Sequence, residues 1–309
     1  MVSRVFFLII WMCFLGTLPG LAQENAVSRK NTDARATGIR AQLVVVDSAD
    51  VQVLTTTDGS TTVGRVIRVN EQDVDFRTDL GVLSIPIAKI SEIRQLPATS
   101  IRNGQIWFPN PNATRLFFAP TGRMLKQGEG YFSDYYIFFP GFAYGLTDRV
   151  TVGGGMSLFP GIGMGDQIFY FTPKVGITAT ESFNLAAGAL LVPVPWEDGP
   201  DDPEMVGILY GVSTFGSPDA SFTLGLGVGF VDGNLADRPM VMVGGEKRLT
   251  RRTAFVTENW IFPGADQPLI SFGLRFFGEK LSVDLGLLNT IGEETFFPGA
   301  PYIDFVVKF

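Results

Sequence analysis

The chain has 309 residues, of which 46% are apolar, and carries 31 acidic against 24 basic side chains for a net charge of −7. This acidic balance argues against nucleic acid as a partner. The chain has no His, which excludes an imidazole base or imidazole metal ligand.

The N-terminus has the pattern of a secretory signal peptide, which we predict over residues 1–22. Arg4 precedes an apolar run at 5–18, and small residues at Gly20 and Ala22 suit cleavage after Ala22. Cleavage removes Cys13, the single cysteine. The mature chain is then expected to have no disulfide, thiol nucleophile or soft metal ligand, and we expect no cofactor.

The next segments divide into a polar leader at 23–40, a small β domain at 41–97 and a linker at 98–113. The leader is polar and has no hydrophobic period. Short apolar runs separated by turn residues predict the strands of the β domain, which are 42–47, 51–57, 62–69, 73–78, 82–85 and 90–96. This run resembles SH3-like and Sm-like small β-barrels, with Gly64 where such folds bend a strand.

Residues 114–309 have a different pattern. Strand-like segments of about ten residues are separated by tight turns that alternate with longer loops. The tight turns fall at 146–149, 179–182, 216–219, 250–252 and 278–280. This hairpin repeat is typical of an all-β, closed antiparallel transmembrane β-barrel. The predicted strands are 114–119, 131–145, 150–159, 167–178, 183–194, 204–215, 220–231, 239–249, 253–262, 268–277, 281–289 and 301–309. The number is about twelve, with ten as the alternative if the short first segment is not a strand.

The strands have one apolar and one small or polar face. Phe222, Leu224 and Leu226 alternate with Thr223 and Gly225. Large apolar side chains facing lipid, with small residues facing inward, are expected of such a barrel. The glycines at 225, 227 and 229 alternate within a strand, so they do not form a dinucleotide-binding turn.

Charged residues fall on the predicted inner face. They are Glu246, Arg248, Arg275, Asp284, Asp304 and Lys308, with Glu258 as a possible addition. These side chains either line a water-filled path or form a paired ionic plug, and both interpretations stay open.

Two further patterns have ordinary explanations. The acidic stretch at 197–204 has oxygen ligands suited to Ca²⁺, although a solvated external loop explains it better. Aromatic residues near predicted strand ends, such as Trp260 and Tyr135, suit the girdles at a membrane interface. We therefore expect no metal site.

The last strand is the most specific signal. Ile303, Phe305, Val307 and Phe309 are apolar and alternate with Asp304 and Lys308. The pattern resembles the C-terminal insertion signal of Gram-negative outer-membrane barrels, and the whole chain resembles uncharacterised Bacteroidota-like proteins of this class. The resemblance implies an outer-membrane location, contact with membrane lipid and recognition by the barrel-assembly machinery. An even strand number would place residues 41–97 in the periplasm, where they have a possible protein partner.

An outer-membrane barrel of this size can be an enzyme, a channel or a structural anchor. Known barrel enzymes of this size rely on a catalytic His, so we expect a non-enzymatic protein. The preferred interpretation is a channel-like or transport protein with a narrow polar lumen. The alternative is a structural anchor that presents the small β domain to periplasmic partners.

Overall fold

The computed structural model describes residues 38–46, 50–102, 105–161, 163–194, 204–290 and 298–309. The predicted signal peptide, most of the leader and the acidic stretch lie outside these residues. The chain divides into two compact units at residues 104 and 105. No helix in the described ranges is long and apolar enough to cross a membrane.

The first unit is an antiparallel five-stranded sheet with the order β4-β3-β2-β1-β5. Its strands are β1 (Asp50–Thr56), β2 (Thr61–Val69), β3 (Asp73–Thr78), β4 (Gly81–Pro86) and β5 (Ile90–Pro97). Turns of 3₁₀-helix at Ile87–Lys89 and Ala98–Ser100 precede β5 and the short β6 (Ile101–Arg102). The SH3-like assignment stays a prediction.

The predicted strand at 42–47 is wrong, because residues 38–42 form a helical turn and 43–46 have no regular structure. Ile39 on this turn and Leu43 directly after it are both buried in the core with Leu54 and Phe76. The core of this unit therefore begins before residue 41. The side-chain amide of Gln52 donates to the carbonyl of Val44, at 2.7 Å.

The second unit is a closed antiparallel barrel in which the wall strands follow one another around the barrel in chain order. After the short β7 (Gln105–Ile106), the strands are β8 (Gly130–Tyr135), β9 (Phe139–Thr147), β10 (Val150–Met156), β11 (Phe169–Phe171), β12 (Lys174–Ala179), β13 (Phe183–Val194), β14 (Glu204–Ser217), β15 (Ala220–Val231), β16 (Asn234–Leu235), β17 (Met240–Thr250), β18 (Thr253–Ile261), β19 (Leu269–Phe277), β20 (Leu281–Thr290) and β21 (Ala300–Lys308). Closure is made by β21 against β8.

The described residues form twelve barrel positions. Strands β11 and β12 follow one another between β10 and β13 and share one position, while β16 only extends the edge of β15. The prediction of a closed antiparallel barrel of about twelve strands is confirmed.

Two errors in the predicted strand list cancel in this count. The segment 114–119 is not a barrel strand, and the segment predicted as one strand at 131–145 is two, β8 and β9. The chain reverses through Tyr136 and Ile137, which have φ of 55° and 69°. Two adjacent residues with positive φ make the tight hairpin turn that usually contains Asn or Gly. Because Tyr136 and Ile137 are not residue types typical of such a turn, the sequence did not indicate it.

The two faces of the wall differ as the alternation predicts. On β15, Phe222 and Leu226 are 50% and 54% exposed, whereas Thr223 is fully buried. The closed sheet leaves no unpaired edge, so the backbone polar groups of the wall are satisfied by neighbouring strands.

A hairpin of the chain itself lies inside the barrel. It comprises residues 108–126, and we refer to it as the interior hairpin. Arg115 and Pro120 form an antiparallel bridge, and the amide of Leu116 donates to the carbonyl of Ala119 at 2.8 Å. The predicted linker at 98–113 and barrel start at 114 are thus corrected, because Asn110 and Asn112 are buried and the compact unit begins at Gln105.

The glycines of the inner wall leave room for this hairpin. A Cβ atom on Gly286 would lie 3.1 Å from Cζ of Phe117, and one on Gly244 would collide with Leu116. Leu116 and Phe117 pack there with Val212, which completes an apolar cluster across the bore.

Both ends of the second unit lie at the tight-turn rim. Near its first end, the carbonyl of Phe108 accepts a hydrogen bond from Arg248, beside the tight turn at 250–252. At its other end, Phe309 exchanges backbone hydrogen bonds with Gly130. The amide of Gln127, where the interior hairpin leaves the bore, donates to Asp148 in the turn between β9 and β10, at 2.9 Å. The interior hairpin therefore enters the bore from the tight-turn rim.

A charge introduced on the outer face tests whether that face contacts lipid. In a lipid bilayer, Leu226→Arg should lower the free energy of unfolding by about 2–4 kcal/mol, because a charge would replace an apolar contact near mid-depth. Leu249→Arg is a matched control, since Leu249 is 56% exposed but lies one residue from the end of β17. It should cost about 0–1 kcal/mol. Denaturant titration of barrels refolded into vesicles measures both, and equal costs would contradict a lipid-facing wall.

Candidate functional site

Arg275 is the centre of the barrel interior. Its side chain has no exposed surface, and two of its nitrogens bind Asp284, with Nε at 2.8 Å and Nη2 at 2.7 Å. Nη1 donates to Glu246 at 2.8 Å. The same guanidinium donates to the carbonyls of Asn112 and Leu116, at 2.8 and 2.6 Å. Arg275 therefore joins two wall strands to the interior hairpin.

A second ion pair fixes the middle of the hairpin. Arg115 Nη2 lies 2.7 Å from Asp304 Oδ2, and the two side chains are 5% and 0% exposed. The Arg115 guanidinium also stacks over Tyr135, with Cζ 4.5 Å from the ring centroid. Arg115 was not among the predicted site residues, because it was assigned to a wall strand.

Glu258 binds the tip of the hairpin through backbone amides. Its Oε2 accepts hydrogen bonds from the amides of Phe117, Phe118 and Ala119 at 2.9–3.0 Å. Its Oε1 accepts from Trp260 Nε1 at 2.7 Å. Three convergent amides stabilise a carboxylate that has no cation within ion-pair distance in the described chain.

Two asparagines and a tyrosine complete the polar contacts. The Asn110 amide donates to both oxygens of Glu246 at 2.8 Å, and Asn112 reaches Asp284 at 3.4 Å. The hydroxyl of Tyr302 donates a hydrogen bond to the carbonyl of Phe117, at 3.0 Å. Each of these bonds links residues that are more than a hundred positions apart in the chain.

The predicted inner charges therefore separate into two groups. Glu246, Arg275, Asp284 and Asp304 meet at the interior hairpin, as does Glu258. Arg248 and Lys308 lie towards the tight-turn rim. Arg248 binds the carbonyl of Phe108 at 2.9 Å, and Lys308 binds Glu129 at 3.0 Å with both side chains partly exposed.

The residues of the predicted insertion signal lie on the other face of β21. Val307 and Phe309 are 48% and 53% exposed, and Ile303 and Phe305 are half-buried. The ring of Phe309 lies 5.3 Å from that of Phe132 on the neighbouring strand.

The charged part of the bore is thus filled, and the open space beside the hairpin is lined mostly by apolar surface. A cavity of about 370 Å³ lies over Phe118, Ala119 and Pro120 at the hairpin tip. Its apolar wall is formed mainly by Leu190, Ile208, Val212, Met242, Trp260 and Leu269. This volume is within the range of small-molecule sites, which begins at about 300 Å³.

One lysine at this cavity was not predicted. Lys174 is 5% exposed and donates to the carbonyls of Thr114, Thr121 and Arg123, at 3.3, 3.3 and 2.7 Å. Lys174 alternates with Thr172 and Gly176, so the sequence pattern already indicated that its side chain faces the bore. No group of His, Cys or acidic residues in the described ranges is placed to hold a metal ion.

No protein-family model matches this chain, and no curated protein does. Among solved structures, a loop-deletion mutant of OmpT, an outer membrane protein of Vibrio cholerae, is 12% identical, with 84% of this chain and 96% of that chain covered and a TM-score of 0.32. Salmonella typhi OmpF in complex with daunomycin is 10% identical over 84% and 96%, with a TM-score of 0.31. These TM-scores assign neither a family nor a function.

The filled bore can be tested at its central arginine. Arg275→Ala should lower the free energy of unfolding by about 3–5 kcal/mol, because Asp284 and Glu246 would remain buried without their cation. Lys308→Ala removes the partly exposed pair and should cost no more than about 1 kcal/mol. Unfolding in detergent with increasing denaturant measures both. A small effect for Arg275→Ala would indicate water around these charges.

Proposed function

We propose that this protein is a non-enzymatic, transport-like outer-membrane β-barrel that binds a small, largely apolar molecule inside a bore closed by its own chain. The observation that supports this function is the position of the interior hairpin. It occupies the charged section of the bore and leaves an apolar cavity of about 370 Å³ at its tip.

The proposed location rests on the wall. Its outer face exposes large apolar side chains such as Phe222, Leu226 and Phe272, which a barrel in water would bury or replace. Outer-membrane lipid is then the principal partner. The apolar face of the last strand, with Val307 and Phe309 exposed, suits recognition by the barrel-assembly machinery.

The geometry does not favour a general pore for polar solutes. The carboxylates of Glu246, Glu258, Asp284 and Asp304 are buried and bonded to arginine or to the hairpin. Passage therefore requires the hairpin to move, which would break the bonds of Arg275 and Glu258 together. We infer that the hairpin acts as a gate between the cavity and the tight-turn rim.

A structural anchor is the second candidate. The first unit has its own core, which includes Val66, Val74 and Phe76, and it is a compact unit separate from the barrel. If the barrel never opens, the first unit would carry the function by binding a periplasmic protein. Nothing in its sheet identifies that partner.

Ion conductance distinguishes the transport and anchor functions from an open pore. The full chain in a planar bilayer should conduct poorly, because the interior hairpin fills the bore. Replacing residues 106–126 by a short Gly-Ser linker should raise the conductance many-fold, since the charged wall would then be hydrated.

The matched control removes residues 23–102 and keeps the hairpin. Its conductance should remain as low as that of the full chain. A high conductance in the full chain would refute a bore closed by residues 108–126, and a low conductance without the hairpin would favour the anchor.

The orientation is tested with protease on intact cells. Because both ends of the second unit lie at the tight-turn rim, and short turns face the periplasm in barrels of this kind, residues 41–97 should be protected until the outer membrane is permeabilised. Cleavage in the 194–204 region of intact cells would serve as the positive control. Cleavage within 41–97 in intact cells would mean the opposite orientation.

A further inference from the structure

We propose that the cavity at the hairpin tip binds an aliphatic monocarboxylate, with its head beside Lys174 and Thr151 and its tail against the apolar wall. This inference rests on the proposed function and specifies the chemistry of the molecule bound there. It follows from the division of the cavity, from the basic side chain of Lys174 and from two buried polar atoms that have no hydrogen-bond partner among the described residues.

The cavity has a polar side and an apolar side. Strands β8 to β12 and the chain just before Lys174 contribute the polar groups, which are Ser133, Tyr135, Thr151, Tyr170, Thr172 and Lys174. Strands β13 to β19 contribute aliphatic and sulfur-containing side chains, among them Leu190, Ile208 and Met242. A molecule that matches both sides has a polar head and an apolar body.

Lys174 provides the basic group of the polar side that no carboxylate pairs with in the described chain. Among the described residues no carboxylate lies within ion-pair distance of its Nζ, which bonds only to backbone carbonyls. The other cation at the cavity, Arg115, is neutralised by Asp304, and Asp304 does not line the cavity. A buried ammonium without a counter-ion favours an anionic ligand.

Thr151 and Arg115 supply donors for that anion. Both side chains are 5% exposed and line the cavity, and within the described part of the chain neither Thr151 Oγ1 nor Arg115 Nε has a hydrogen-bond partner. Thr151 is the register partner of Lys174 on the neighbouring strand, so the two side chains are adjacent on the inner face. Buried polar atoms without partners in a cavity are completed by water or by a ligand.

The single unmatched charge selects a monoanion. A phosphate monoester carries nearly two negative charges at neutral pH, and a second unmatched cation would be needed to balance it. The apolar side, and a volume of about 370 Å³, suit a short aliphatic tail. An aliphatic carboxylate of medium chain length meets both conditions.

The experiment compares two probes that differ only in the head group, 10-bromodecanoate and 10-bromodecanol, at a pH where the acid is ionised. Bromine quenches indole fluorescence at contact, and Trp260 lines the cavity. Trp107→Phe and Trp196→Phe in the refolded mature chain leave Trp260 as the reporter. Gel mobility before and after boiling shows that each variant is folded.

The parent chain should bind the carboxylate at least ten-fold more tightly than the alcohol. Lys174→Met, which keeps the length of the side chain, should abolish this preference and leave the affinity for the alcohol unchanged. Thr151→Val keeps the shape and the charge, and should weaken carboxylate binding several-fold even if Lys174→Met fails to fold. Lys247→Met removes an exposed lysine and should change neither affinity.

Three results would overturn the inference. Equal binding of both probes by the parent chain would show an apolar site without head-group recognition, and the proposed function would survive. Quenching by neither probe would refute the proposed function together with this inference. A carboxylate preference that persists in both Lys174→Met and Thr151→Val would place the head group elsewhere in the cavity.

Discussion

A charged group that is sealed inside a barrel must find its partners inside the barrel, and this constraint determines the interior of this protein. Arg275 has no exposed surface, and its donors are directed at two wall carboxylates and at carbonyls of the interior hairpin. Removing Arg275 would leave the carboxylates of Asp284 and Glu246 buried without their cation, which is costly in a medium of low polarity. The wall and the hairpin are therefore one cooperative structure, although the hairpin belongs to no sheet.

The same constraint divides the bore along its length. Near the tight-turn rim and at mid-depth, acids and arginines are matched by the hairpin, and glycines such as Gly286 admit its large side chains. Beyond the tip the inner wall becomes aliphatic, with Ile208 and Leu269 at the cavity. The ionic section stabilises the closed state, while the apolar section offers a site for a molecule. A transition between closed and open bore would have to exchange the bonds of Arg275 and Glu258 for water.

The strand count illustrates how local reasoning succeeds and fails in one chain. Alternation over ten residues marks a strand wherever each side chain faces either lipid or the bore. It gives no means of recognising that residues 114–119, a short apolar-rich segment, lie inside the barrel and not in its wall. It also cannot detect the reversal at Tyr136 and Ile137, because their positive φ is maintained by contacts such as the bond from the Tyr136 amide to the Ile303 carbonyl, at 3.0 Å.

The sequence by itself determined the closed all-β barrel, its tight turns and the inward positions of Glu246, Arg275, Asp284 and Asp304. These features depend on a period of two residues and on turn chemistry, both of which are local. Only the tertiary structure decided what those charges meet. Arg275 and Asn112 are 163 residues apart, and nothing near either one specifies the other. The interior hairpin, the buried and unpaired hydroxyl of Thr151 and the position of Lys174 away from any carboxylate arise from the folding of distant segments into one enclosed space, where a polar group can bond only to what the closed wall brings within reach.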